Sequence, residues 1–112
     1  MARKAPKTDL LRGTLDLLIL QTLELQPLHG VAVADRIKQV TGGAFSVQAG
    51  SLFPALHRLE QEGWIAGAWS TIDGGRRIKA YSLTSSGRRQ LSAERRQWSK
   101  IVAAMGQVLD QG

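Results

Sequence analysis

The segment most informative about the fold is Gln48-Ala-Gly-Ser-Leu-Phe-Pro-Ala-Leu-His-Arg-Leu-Glu-Gln-Glu62, with the hairpin sequence that follows, from Trp64 through Asp73-Gly74-Gly75 to Arg76-Arg77-Ile78-Lys79. The first part has helical spacing, with leucines on one stripe and small, polar or cationic residues opposite. The second part has β-favouring residues around a tight-turn signal. A helix with a polar face can enter a major groove, and a basic hairpin tip beside it can contact phosphates. This order predicts a winged helix that binds DNA.

Ten residues of this segment are candidate DNA contacts. On the helix they are Gln48, Gly50, Ser51, Phe53, Pro54, His57 and Arg58, and on the hairpin they are Arg76, Arg77 and Lys79. A histidine and an arginine on a helix are by themselves more often a solvated face, since exposed polar residues need no function. The basic hairpin directly after them favours the functional interpretation. We expect Trp64, Trp69 and Tyr81 to pack in the core, because they lie away from the hairpin tip.

Length and charge limit the class of protein. The 112 residues make one ordinary domain, and 15 Lys+Arg against 9 Asp+Glu give a net charge of +6, which favours an anionic partner. The absence of cysteine excludes a disulfide scaffold, a thiolate metal site and a cysteine nucleophile. The first eight residues are a poor signal peptide, and the apolar run from Leu15 to Leu25 is too short to cross a bilayer. We therefore expect a cytoplasmic protein without membrane association.

Two helices are expected before the central segment. The first is capped by Thr8 or Asp9 and ends at Gln26-Pro27, which leaves residues 1–8 as a flexible basic tail. The second opens at His29-Gly30 and stops at Thr41-Gly42-Gly43. Phe45-Ser-Val47 is a candidate third strand of the small sheet. Residues 9–84 then form a mainly α domain with a small β hairpin, an α+β winged helix-turn-helix.

The last helix, expected after a Thr84-Ser85-Ser86 cap within residues 85–112, has the pattern of a coiled-coil seam. Apolar residues recur with heptad spacing, and Glu94 interrupts them at one position. The first helix is apolar on two sides and also needs a second partner. We therefore predict a symmetric dimer whose interface contains Leu17, Leu91, Trp98, Ile101, Met105 and Val108.

Four motifs resemble the PadR-like transcriptional regulators. They are Leu11-Arg-Gly-Thr-Leu-Asp-Leu-Leu-Ile-Leu20, Leu28-His-Gly30, Gly50-Ser-Leu-Phe-Pro-Ala-Leu-His-Arg-Leu-Glu60 and Leu83-Thr-Ser-Ser-Gly-Arg88. The resemblance extends from about Leu10 to Leu109 and is most specific between Gly50 and Glu60. It implies a winged-helix homodimer, usually a repressor, on a palindromic operator in double-stranded DNA. It also implies the short form of the family, with one carboxy-terminal dimerisation helix.

The resemblance has two departures and one further implication. Phe53 stands where the family usually has tyrosine, which removes a phenol hydrogen bond, and Ala80-Tyr81 replaces an aromatic pair. Trp98 resembles the tryptophan that lines a pore between subunits in multidrug-binding members. A flat aromatic effector held by Trp98, with Leu17 and Ile101 as walls, is therefore one hypothesis. Packing of Trp98 in the seam is the other, because an aromatic at helical spacing usually belongs to a core.

Other classes of function find little support in the sequence. The serines and histidines fall in separate elements, without the spacing of a catalytic triad, a metal site or a phosphate loop. We therefore predict neither an enzyme nor a cofactor. The main alternative is a winged-helix module whose basic hairpin binds an acidic protein, and the small polar face near Gly50 argues against it. A membrane-surface role would need the basic residues along one amphipathic helix.

Overall fold

The computed structural model describes the backbone of residues 4–111 and the side chains of residues 13–111. Four helices and three strands follow one another along the chain. They are α1 (Lys4–Leu23), β1 (Leu28–His29), α2 (Gly30–Val40), α3 (Ala49–Gln61), β2 (Ile65–Ile72), β3 (Arg76–Leu83) and α4 (Ser85–Asp110). The strands form an antiparallel sheet in the order β1-β3-β2. The α+β winged-helix prediction is confirmed.

The core is a cluster of apolar residues to which all four helices contribute. Its members are Ile19, Leu20, Leu23, Val33, Ile37, Leu52, Ala55, Leu56, Leu59, Ile65, Tyr81 and Leu91. The leucine stripe of α3 faces this cluster, as its spacing predicts. The opposite face of α3 is therefore turned to solvent.

The hairpin is formed as predicted. A single 3-10 turn, Asp73–Gly75, joins β2 to β3, and Gly74 and Gly75 both have positive φ, which residues with a Cβ rarely adopt. Ile65 pairs with Leu83 near the body of the domain, and Ile72 pairs with Arg76 at the turn. The hairpin, called the wing below, thus carries the basic residues at its outer end.

A tight junction attaches the start of α4 to the body. The Thr84 backbone N–H donates to the Trp64 carbonyl at 3.1 Å, and its hydroxyl donates to the Gly63 carbonyl at 2.7 Å. The same hydroxyl accepts from the Gly87 N–H at 2.9 Å, which confirms the predicted helix cap. A Cβ on Gly87 would lie only 2.8 Å from Leu83 Cδ1 and 2.9 Å from the Trp64 carbonyl carbon. Only glycine permits this approach.

The boundaries of α1 differ from the prediction. The helix begins at Lys4 instead of Thr8 or Asp9, so residues 4–8 of the expected tail are helical, while residues 1–3 lie outside the described residues. Pro6 does not prevent this start, because amides in the first turn have no helical acceptor. The helix also ends at Leu23, before the expected stop at Gln26-Pro27.

The third strand of the sheet was assigned to the wrong segment. Residues 45–47 form no strand, and the edge of the sheet is instead β1, in which Leu28 pairs with Tyr81 and His29 with Ala80. Phe45 follows the end of α2 closely, since its N–H donates to the Thr41 hydroxyl at 3.1 Å. Residues 45–47 line a groove together with Leu15 and Leu18 of α1.

Candidate nucleic-acid interface and α1–α4 groove

The outer face of α3 carries most of the predicted contacts. Six of the seven predicted helix residues are exposed: Gln48, Gly50, Ser51, Phe53, Pro54 and His57. A Cβ on Gly50 would meet nothing within 4 Å, so the helix surface is open there. Hydrogen-bonding side chains and a small residue share this face, which gives it the shape and donors that a major groove accepts.

Arg58, the seventh helix residue, is directed inward. Its guanidinium forms an ion pair with Asp16 of α1, and the two side chains are 33% and 13% exposed. A charge-assisted bond in this half-buried position holds α3 against α1. The guanidinium that was expected to read bases is thus engaged by Asp16, which the sequence could not indicate because the partner lies 42 residues away.

The cations of the wing divide between its two faces. Thr71 pairs with Arg77 and Trp69 with Lys79, so these side chains share one face, whereas Arg76 points to the other. Both Arg76 and Arg77 are exposed. The face that carries Arg77 also carries the buried Tyr81, and it is the one turned toward α3.

Lys79 of the wing is bound to α3. Its Nζ donates to Glu60 Oε1 at 2.9 Å, and this hydrogen bond raises the pKa of Lys79 above its usual value. The same Nζ lies 5.6 Å from the Trp69 ring centroid. The ammonium group therefore links the wing to α3, which leaves Arg77 as the less constrained cation of that face.

Trp69 was expected in the core and is instead exposed. Its side chain is 57% accessible, and the Arg77 guanidinium carbon lies 4.7 Å above its ring centroid. Tyr81 is buried as predicted, and Trp64 is half-buried. Strand alternation alone places Trp69 on the inner face of the wing. That face is exposed because the wing extends beyond the body at this point.

Phe53 packs where α2 meets α3. A Cβ on Gly30 would lie 2.8 Å from Phe53 Cε1, so the aromatic ring rests directly on the glycine backbone. Gly30 is buried at the start of α2, and Phe53 remains 44% exposed. The ring therefore has one side in the fold and the other on the surface of α3.

The predicted dimer residues fall into two groups. Leu91 is 2% exposed and belongs to the core of its own protomer, so its side chain is not part of the exposed apolar surface of α4. The heptad pattern continues beyond the body, and there Trp98, Met105 and Val108 are exposed. Spacing alone could not show where along α4 the intramolecular contacts stop.

Leu17, Trp98 and Ile101 lie close together in one protomer. They line a groove of about 120 Å³ between α1 and α4, together with Gly13, Thr14, Glu94 and Gln97. Glu94 Oε2 accepts a hydrogen bond from Gln90 Nε2 at 2.8 Å. The residue that interrupts the apolar seam thus places a carboxylate at this groove.

The described residues contain neither a membrane-spanning helix nor a group of metal ligands. Within residues 4–111 no helix is long and apolar enough to cross a membrane. Among the described side chains, those of residues 13–111, no three from His, Asp or Glu are grouped as metal ligands would be.

Comparison with known proteins identifies the relatives of this chain. The family model described as "Transcriptional regulator PadR-like family" matches residues 19–93. Transcriptional regulator Rv3488 of Mycobacterium tuberculosis is 31% identical over 91 residues, which cover 81% of each protein. A PadR family transcriptional regulator from Eggerthella lenta has 29% identity and a TM-score of 0.76, covering 97% of this chain and 93% of that one. A PadR family regulator from Clostridium difficile has 29% identity and a TM-score of 0.72, with coverages of 84% and 96%.

Proposed function

The chain belongs to the PadR-like family of transcriptional regulators, which are not enzymes, and from this premise we propose that it is a cytoplasmic homodimeric repressor acting on a palindromic operator. The observation that carries the proposal is the exposed polar face of α3 beside the Arg77 face of the wing. The net charge of +6 adds a long-range attraction to DNA.

The two elements divide the work of binding. The outer face of α3 enters the major groove, where His57, Ser51 and Gln48 offer hydrogen-bonding groups to base edges. Arg76 and Arg77 of the wing contact phosphates, which position the protein without reading sequence. Arg58 and Lys79 act from inside, because their carboxylate partners fix α3 relative to α1 and to the wing.

The homodimer is supported by the carboxy-terminal part of α4. Its apolar side chains are exposed, with Val108 at 72%, and the Cα radius of gyration is 15.8 Å. A compact domain of this length has a radius of gyration of about 13 Å. An exposed apolar helix that extends from the body needs a second copy to cover it. Two-fold symmetry then places two reading helices about 34 Å apart, one turn of the duplex.

A small effector is the second part of the proposal. The α1–α4 groove holds about 120 Å³ in one protomer, whereas ligand sites usually measure about 300–1,000 Å³. The symmetry mate must therefore supply the other wall, so that two Trp98 rings enclose one ligand. Glu94 at the same groove favours a planar aromatic cation. Such a ligand relieves repression only to the extent that it prefers a dimer geometry unsuited to the operator.

Selection of binding sites from random duplexes by the purified protein tests the central claim. We expect an inverted repeat, bound far more tightly than a scrambled duplex, with affinity that falls steeply as salt rises. His57→Ala should cost about 1–3 kcal/mol at the selected site and relax its sequence. Equal affinity for selected and scrambled duplexes would contradict DNA reading and favour a module for acidic proteins.

Repression and relief need separate measurements. A reporter promoter that overlaps the selected site should lose expression when the protein is present. A planar aromatic cation should restore expression and quench tryptophan fluorescence, and Trp98→Ala should abolish both effects. Quenching that persists unchanged in Trp98→Ala would assign it to Trp64 or Trp69 and remove the effector from the proposal.

A further inference from the structure

A cleft of about 390 Å³ lies between α3, the start of α2 and the inner face of the wing. Phe53 lines it from α3, His29 and Val31 from the start of α2, and Trp69, Arg77 and Lys79 from the wing. Phe53, Val31 and Trp69 are all exposed apolar residues. The cleft therefore has apolar walls and a cationic edge, and it connects the two elements assigned to DNA.

Trp69 and Arg77 form one unit in this cleft. The guanidinium lies 4.7 Å above the indole ring, which is within the range of a cation–π contact. A guanidinium stacked flat on a ring keeps the N–H donors at its edge free for a ligand. No ion pair of the described residues involves Arg77, whereas Lys79 beside it is bound to Glu60. Arg77 is thus held in place with its charge unneutralised.

The chemistry of the cleft fits one strand of a duplex. A nucleotide backbone presents an anionic phosphate next to the apolar face of a deoxyribose. Phosphate contacts from arginine supply affinity and register in protein–DNA complexes. The strand that leaves the major groove filled by α3 passes next to the wing, where the cleft lies.

We propose that this cleft binds the deoxyribose-phosphate backbone of one DNA strand, with Arg77 on the phosphate and Trp69 as the positioning residue that holds Arg77 there. Phe53 and the exposed edge of Trp69 flank the sugar. The inference rests on the proposed function, that the protein binds duplex DNA. Arg76 has the same charge as Arg77 but lies on the opposite face of β3, so the cleft phosphate is assigned to Arg77 alone.

Duplexes of the selected sequence, each with one phosphate replaced by a neutral methylphosphonate, test the proposal in the full-length protein. One position per half-site should lower wild-type affinity about tenfold or more, the effect of a charge-assisted hydrogen bond. Arg77→Ala and Trp69→Leu should each lose this sensitivity, and combining them should add little. Arg76→Ala, the matched control, removes a different phosphate contact from the opposite face of β3, so it should lower affinity but keep the sensitivity at this position.

The salt dependence gives a second measurement that a purely structural role of Trp69 would not change. Trp69→Leu keeps the net charge, yet the slope of log affinity against log salt should fall by about 0.9 per half-site, as for Arg77→Ala. Trp69→Phe, which restores an aromatic surface, should recover most of the slope. Circular dichroism confirms that each variant is folded, and Trp69→Gln, which also lacks a ring and keeps the net charge, replaces Trp69→Leu if that variant is not.

The outcomes distinguish this inference from the proposed function. A wild-type protein that does not prefer the selected duplex would overturn the proposed function and, with it, the cleft. Specific binding in which Arg76→Ala and Arg77→Ala lose sensitivity to the same methylphosphonate position, or in which Trp69→Leu keeps that sensitivity, would overturn the cleft assignment alone.

Discussion

Replacing Gly87 by alanine should destabilise the protein, although alanine is the better helix former. The added Cβ would overlap the Trp64 carbonyl and Leu83, and such overpacking costs about 1–3 kcal/mol. Moving α4 outward to relieve the overlap would break the two hydrogen bonds from Thr84 to the body, at about 1 kcal/mol each. Better helix propensity offsets at most about 1 kcal/mol. Whichever of these two costs is incurred, we expect a net loss of about 1–2 kcal/mol.

Gly106→Ala is the matched control in the same helix. A Cβ at Gly106 meets nothing within 4 Å, so only the propensity gain of about 0.5–1 kcal/mol remains. Urea denaturation at one fixed protein concentration, followed by circular dichroism, measures both free energies of unfolding. The two substitutions should shift stability in opposite directions. A Gly87→Ala protein as stable as the wild type would refute the idea that this junction requires glycine.

Three further predictions concern the interior contacts. Asp16→Asn should lower the free energy of unfolding by about 1–2 kcal/mol, between the values for exposed and buried ion pairs. The loss should be smaller when Arg58 is already replaced by Gln. If urea denaturation shows that the two losses simply add, that would argue against the ion pair. Leu91→Ala should lower the free energy of unfolding by about 2–5 kcal/mol. Val108→Ala should instead mainly weaken dimerisation, as measured by sedimentation. Equal effects on stability would contradict the division of α4 into a core part and an exposed outer part. The raised pKa of Lys79 means that its contribution to folding stability is present at neutral pH and is lost only as pH rises above the ordinary lysine range. Lys79→Met should remove this part of the loss of stability at alkaline pH. A loss of stability that is already complete at pH 8 would have another cause.

Sequence patterns predicted the helices and the wing because these elements have local causes. The leucine stripe of α3, the Thr84 cap and the glycine turn at 73–75 each act over a few residues. The edge strand could not be predicted in this way. It has two residues, Leu28 and His29, and exists only because β3 lies beside it. Residues 45–47 offered an equally short β signal without such a neighbour.

The sequence predicted which residues of the candidate site lie at the surface, but not what each of them does. Alternation along α3 and β3 identifies which side chains share a face, and it correctly places six helix residues at the surface. It does not reveal distant carboxylates, and Asp16 and Glu60 change the roles of Arg58 and Lys79. Nor does it show how far the wing extends from the body, which decides that Trp69 is exposed.

The division of α4 has an evolutionary consequence. Its first turns, through Leu91, are part of the folded body, whereas residues 95–110, about four turns, contribute no buried side chain to their own protomer. Mutations in these later turns can therefore accumulate without unfolding the DNA-reading domain. In the homodimer proposed above, substitutions around Trp98 would change which copies pair, and the fold of the body would be unaffected. After gene duplication, the outer half of this one helix would then let the two products diverge in partner choice while both keep the same DNA-contacting surface.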